Sequence, residues 1–318
     1  MKRFPEKNLQ MSEISSIFAT EKKKNSVAMG IEGRERYINP YTDFGFKKLF
    51  GTELNKDLLI SFLNALFNDT GREIKDVQYL NGEQLGDGYG DRRAVFDVYC
   101  MTEDGSRFIV EMQKAEQEYF KDRSVYYATA PIREQAPKGK WDYHLDGVFT
   151  IGILNFVFPN DEYPADSYVH EVKLKDTEDN HIFYDKLTFV YLEMPKFNKR
   201  EDELVTMFDK WMFALRNLSR LLERPAALQE RIFTRLFDQA EIAKFTPQER
   251  LEYEESMKDY RDYYSTMKTA HKKGREEGKA EGRAEGIRET AYKLKQKGLP
   301  VDLIAETTGL SPQEISEL

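Results

Sequence analysis

The stretch RFIVEMQ, residues 107–113, decides how this chain is read. Its apolar, β-branched content marks a strand, and a strand turns alternate residues to opposite faces. Phe108, Val110 and Met112 share one face; Ile109, Glu111 and Gln113 share the other. A carboxylate and an amide side by side in so apolar a strand need a reason to be there.

The strand's partner is AVFDVYCMT (94–102), also β-branched and aromatic, with TEDGSR (102–107) between them. Two turns fit that connection. A two-residue turn over Asp104 and Gly105 pairs Asp97 with Met112 and sends Glu111 to the face opposite Asp97. A three-residue loop, Glu103-Asp104-Gly105 with Gly105 at positive φ, moves the register by one and sets Asp97 across from Glu111. Turn chemistry permits both. In the second register the two Cβ atoms lie roughly 5 Å apart, where like charges repel. Two such carboxylates need a cation or a shared proton. A divalent metal meets that need, since Mg²⁺ takes one or two protein carboxylates plus phosphate and water. The competing reading is that Asp97 and Glu111 merely solubilise an exposed hairpin.

Outward from the hairpin, residues 43–67 have helical apolar spacing through Leu58, Leu59, Phe62, Leu63 and Leu66. A short strand is expected at 74–80, then a glycine-rich loop at 81–91. That loop lacks the spacing and the Lys-Ser/Thr of a phosphate loop. Residues 116–130 read as a helix ended by Pro131, on which Tyr119 and Tyr126, and Phe120 and Tyr127, are expected to pack in the core. The run 147–156 is apolar on both faces, as in a central strand covered on both sides. Further strands are expected at 168–176 and 186–194. Helical patterns follow at 201–222, 226–243, 247–270 and, in a charged and glycine-rich stretch, 271–297. The expected organisation is a polar extension (1–36), a mixed α/β core (37–198), a helical region (199–270) and a terminal piece (271–318) that joins copies of the chain.

Composition narrows the function. A net charge of −8 argues against a protein that coats nucleic acid wholesale, yet leaves room for a local basic groove. Cys100 is the sole cysteine, which rules out an intrachain disulfide and a thiolate zinc cluster and fits a reducing cytoplasm. The four histidines lack metal-ligand spacing. The longest apolar run, 148–158, is far short of a bilayer crossing. A cytoplasmic protein is expected.

YTDFGFKKLFG (41–51), the aspartate of FDVY (Asp97), EMQ (111–113) and the Gly/Glu/Lys tail together resemble the recombination-promoting nuclease, or PD-(D/E)XK transposase-like, family. The resemblance implies a restriction-endonuclease-like fold, a mixed sheet flanked by helices with an all-helical C-terminal region, and Mg²⁺- or Mn²⁺-dependent hydrolysis of DNA. It implies that Asp97 and Glu111 bind metal, that Gln113 stands where the superfamily most often has lysine, and that Asp43 assists the site. A lysine stabilises hydroxide and developing phosphorane charge; a glutamine can only orient water through its amide. A second reading therefore stands beside the endonuclease: a nuclease fold kept as a scaffold that binds DNA or a partner.

Lys47, Lys48, Arg92 and Arg93 are candidate phosphate contacts if they line the cleft of Asp97, and Lys121, Arg123, Arg133, Lys138 and Lys140 form the densest basic stretch near the core. Residues 299–318 outline two short helices, with Ser311 and Glu314 as a capping box. Their acidic second helix is poorly equipped for a major groove and is expected to pack. Gly274, Gly278, Gly282 and Gly286 recur every four residues: the stretch reads either as a solvated, partly frayed helix with no partner or, through its acidic and basic flanks, as a parallel pairing of two copies into a homo-oligomer.

Overall fold

A computed structural model describes residues 35–84, 94–137, 139–158, 163–164 and 166–318. The first 34 residues, most of the glycine-rich loop with Arg92 and Arg93, and Lys138 lie outside the described residues.

Two helices open the fold, α1 (Asp43–Phe50) and α2 (Lys56–Leu66). The single helical pattern read over 43–67 is thus divided. The break falls at Gly51, whose N–H closes α1 on the Lys47 carbonyl at 2.7 Å; a Cβ there would lie 2.9 Å from that oxygen. Thr42 caps α1 by accepting from the Gly45 N–H.

The strands are β1 (Val77–Tyr79), β2 (Glu83–Gln84), β3 (Ala94–Val95), β4 (Val98–Thr102), β5 (Arg107–Gln113), β6 (Val148–Leu154), β7 (Val169–Lys175) and β8 (Ile182–Glu193). Six of them form one mixed sheet in the order β1-β4-β5-β6-β8-β7, and β2 pairs separately with β3. β5, β6 and β8 run parallel; the remaining pairs are antiparallel. Every residue of β6 is buried, as expected of a strand covered on both faces.

Helix α3 (Phe120–Glu134) connects β5 to β6 and covers one face, where Phe120 and Ala128 join Leu154, Phe158, Phe189 and Tyr191. On the opposite face Phe67 meets Phe108 and Phe149, whose rings stack at 4.7 Å. Two expectations for α3 fail. The helix passes through Pro131 rather than stopping before it, because only its final turn lies beyond and the proline itself is buried. Tyr119 and Tyr126 are solvent-exposed at 65% and 47%, so of the two ring pairs only Phe120 and Tyr127 point inward.

Helices α4 (Met207–Asn217) and α5 (Arg231–Ala240) are shorter than the patterns suggest. Trp211 of α4 is fully buried against Phe50, Phe62 and Phe233 and donates to Ser61 Oγ at 3.1 Å. This compact unit extends to Met257.

The patterns at 247–270 and 271–297 form one helix, α6 (Pro247–Gln296), instead of two. The four glycines weaken it locally, but i,i+4 pairs such as Lys272–Glu276 and Glu289–Lys293 span the stretch. In the second unit, Lys258–Leu318, the helices α7 (Val301–Thr308) and α8 (Pro312–Glu317) fold back on the end of α6. Ala291, Ile304 and Ile315 form its small core. Ser311 and Glu314 make the expected capping box, and Gly309 ends α7 at φ 75.

Candidate active site

The turn between β4 and β5 is the three-residue one. Val98 pairs with Val110 and Met101 with Arg107, so the next pair outward is Asp97 with Glu111. Thr102 N–H bonds Ser106 O at 2.9 Å, and Gly105 takes φ 80. Asp104 locks the loop: its Oδ1 accepts from Ser106 N–H at 3.1 Å and from the Thr102 hydroxyl at 2.5 Å, and its Oδ2 from Arg72 at 2.9 Å.

At Asp97 the ladder changes character. Phe96 N–H turns away to Gly82 O at 2.9 Å, toward the small β2–β3 pair. In the vacated positions side chains replace carbonyls. Met112 N–H donates to Asp97 Oδ2 at 2.8 Å, and Asp97 N–H donates to Glu111 Oε1 at 3.2 Å. Gln113 Nε2 donates to Glu111 Oε2 at 3.0 Å. Glu111 and Gln113 are buried at 8% and 9% exposure, so they do not serve as a solubilising surface. On β6, Gly152 stands beside Glu111; a Cβ there would press on Tyr191 and Leu154 at 3.1 and 3.2 Å.

Burial pushes the Glu111 carboxyl up to about 8, the charge of Asp97 adds to this, and the Asp97 N–H, Arg123 and the Gln113 amide oppose it. Asp97 is raised too, first by burial and further by Asp43, against the Met112 N–H and the charges of Lys47 and Lys114. Helix α1 therefore brings both Asp43 and Lys47 into the field of the pair. Burial disfavours the Lys47 cation, yet its bond to Asp43 at 2.9 Å and the charges of Asp97 and Glu111 hold its pKa above normal. Lys48 is turned elsewhere, paired with Glu249 of α6 at 2.6 Å.

Among the basic residues of α3, Arg123 reaches the site, its Nη2 donating to Gln113 Oε1 at 2.5 Å. Lys121 lies over the Phe158 ring, and Arg133 and Lys140 are exposed. Behind Glu111 and Gln113 a narrow cavity is lined by Ser124, Thr150 and Tyr191. Thr150 Oγ1 is buried there without a hydrogen-bond partner among the described residues. Lys114 and Thr150 escape a reading by pattern. Lys114 directly follows Gln113 and could have been marked on that ground; Thr150 sits in an apolar run that gives no sign of it. His170 belongs to a separate buried contact with Glu193 at 3.4 Å.

Among the described residues no three His, Cys, Asp or Glu side chains gather as a metal cluster. The donor set is instead two neighbouring carboxylates, Glu111 buried and Asp97 half-buried, both raised, with lone pairs to spare beyond the N–H bonds they accept. That set fits a hard divalent ion whose other ligands are water and phosphate.

A six-stranded mixed sheet flanked by helices and followed by a helical region is the architecture of a PD-(D/E)XK fold. The sequence profile described as PD-(D/E)XK nuclease family transposase matches residues 40–270, most of the chain, and the chain belongs to that family. No curated protein and no solved structure matches it significantly. Nucleases of this superfamily generally use divalent metal ions, and no helix among the described residues is long and apolar enough to cross a membrane.

Proposed function

We propose that this protein is a Mg²⁺- or Mn²⁺-dependent DNA endonuclease of low sequence specificity, acting in the cytoplasm in recombination or mobile-element biology. The observation that carries this reading is the Asp97–Glu111 pair: a buried carboxylate and a half-buried one side by side, which only a cation or a proton can reconcile. Asp97 and Glu111 would hold the ion, which would acidify a bound water and neutralise charge on the phosphate. Gln113 orients the groups around that water through its amide, and Asp43 steers Lys47 toward the cleft through their ion pair. Lys47 and Lys114 supply positive charge for a DNA backbone in a chain that is acidic overall.

The core that carries the chemistry spans 37–198, residues 199–270 buttress it, and 271–318 join copies into a homo-oligomer. The experiment is plasmid cleavage. Wild type nicks or degrades plasmid with Mg²⁺, and Asp97→Ala abolishes the reaction. Full activity of Asp97→Ala in a preparation free of contaminating nuclease overturns the assignment.

A scaffold that binds DNA or a protein partner through its helical half is the second reading, favoured by Gln113 standing where a lysine is usual. Mg²⁺ or Mn²⁺ raises the melting temperature of an intact carboxylate site by binding the folded state alone. No rise for wild type favours the scaffold.

A further inference from the structure

The line of contacts from Asp97 through Glu111 to Gln113 continues to a residue on another element. Arg123 lies in the first turn of α3, and its Nη2 meets Gln113 Oε1 at 2.5 Å. Its Nη1 is held by Gln117 Oε1, and its guanidinium lies 5.7 Å from the centre of the Tyr127 ring. Among the described residues it forms no ion pair, so its charge reaches Glu111 across one amide.

We propose that Arg123 is a positioning residue of the nuclease site: it fixes the rotation of the Gln113 amide so that Nε2, a donor, faces Glu111 and the reacting phosphate. This rests on the nuclease reading above. A guanidinium has donors only, and a carboxylate accepts. With Arg123 on one side and Glu111 on the other, the amide has one satisfied orientation, oxygen to Arg123 and nitrogen to Glu111. The flipped amide would set donor against donor and acceptor against acceptor. One N–H of Nε2 is spent on Glu111 Oε2; the second is left for an anion or a water. Gln113 thus acts as a fixed donor, the neutral counterpart of a lysine, and the cation stands one residue behind it.

A double-mutant cycle tests the proposal, because a lysine at position 113 needs no orienting. Arg123→Met should lower kcat on plasmid roughly 10- to 100-fold while KM changes less than about threefold. In the Gln113→Lys background the same substitution should cost less than about threefold, or restore activity by removing a repelling charge. An equal loss in both backgrounds marks Arg123 as a phosphate contact or a structural prop and overturns the proposal.

A spectroscopic arm works without cleavage. The Gln113 side-chain amide signals, assigned by their absence in Gln113→Lys, should shift and exchange faster with water in Arg123→Met. The buried Trp211 indole signal should stay fixed as a reporter of the fold. Gln113 signals indifferent to Arg123→Met sink the proposal even if the cycle cannot be completed. If Arg123→Met shows the shift but wild type never cleaves DNA, the nuclease reading alone is sunk.

Discussion

Asp97 and Glu111 each bond the backbone of the other's strand: Asp97 Oδ2 takes the Met112 N–H at 2.8 Å, and Glu111 Oε1 takes the Asp97 N–H at 3.2 Å. The two carboxylates are therefore clasped in place across the hairpin, although their charges repel. Asp97→Asn keeps the bond to Met112 and removes the repulsion. It should raise metal-free stability by on the order of 1 kcal/mol, while plasmid cleavage falls by about 10²-fold or more. Thermal denaturation in EDTA beside a cleavage assay checks both; a drop in stability contradicts the repulsion.

The same pair makes stability depend on pH in a definite direction. Glu111 has a folded-state value of about 8 against 4.5 for the free side chain. Between those values the native state holds a proton that the unfolded chain has released. Stability is thus fully present below about 4.5 and is lost as pH rises through about 8, by at most ~1.4 kcal/mol per pH unit for one proton. Melting temperatures in EDTA should fall over this range for wild type and much less for Glu111→Gln. Equal slopes for the two proteins refute it.

Gly105 and Gly71 offer a comparison at similar backbone angles, φ 80 and φ 72. A Cβ at Gly71 meets nothing within 4 Å, whereas one at Gly105 comes within 2.6 Å of Asp146 Oδ2. Gly71→Ala should cost roughly 1 kcal/mol from backbone strain alone, and Gly105→Ala more, about 1–3 kcal/mol. Urea denaturation of the two variants decides; equal losses would mean that Asp146 simply moves aside.

A chain ending at Thr269 removes the four glycines at 274, 278, 282 and 286, all of which face open space. Light scattering should show it monomeric where the full chain is oligomeric, and the full chain's assembly should weaken with salt because the flanking charges are exposed. An unchanged oligomeric state frees the glycine stripe of any assembling role.

The sheet was legible because strand periodicity and β-branched content survive in short windows: RFIVEMQ is β5 residue for residue. Register was not, since the turn sequence allows two loop lengths; Asp104 decides it by bonding Thr102, Ser106 and Arg72, the last 32 positions away. Helix ends were the weaker part. Pro131 signals a stop that the helix passes, and the change to a charged, glycine-rich composition after residue 270 suggests two helices where one runs. Within the site, Asp97 just before β4, Glu111 and Gln113 on β5, and Asp43 could be singled out by pattern and resemblance. The arrival of Arg123 at Gln113 could not, because it depends on how α3 lies across the sheet.

Surface loops ordinarily absorb inserted or deleted residues across generations with little harm. The Glu103–Gly105 loop has no such latitude. Losing one codon there would keep both strands, their composition and the glycine, yet would carry Glu111 to the far side of the sheet from Asp97. Substitutions in this loop leave the register intact so long as Asp104's bonds and the glycine's angle are kept, but its length cannot change without moving the register. A chain one residue shorter at this point would keep the fold and lose the pairing of Asp97 with Glu111.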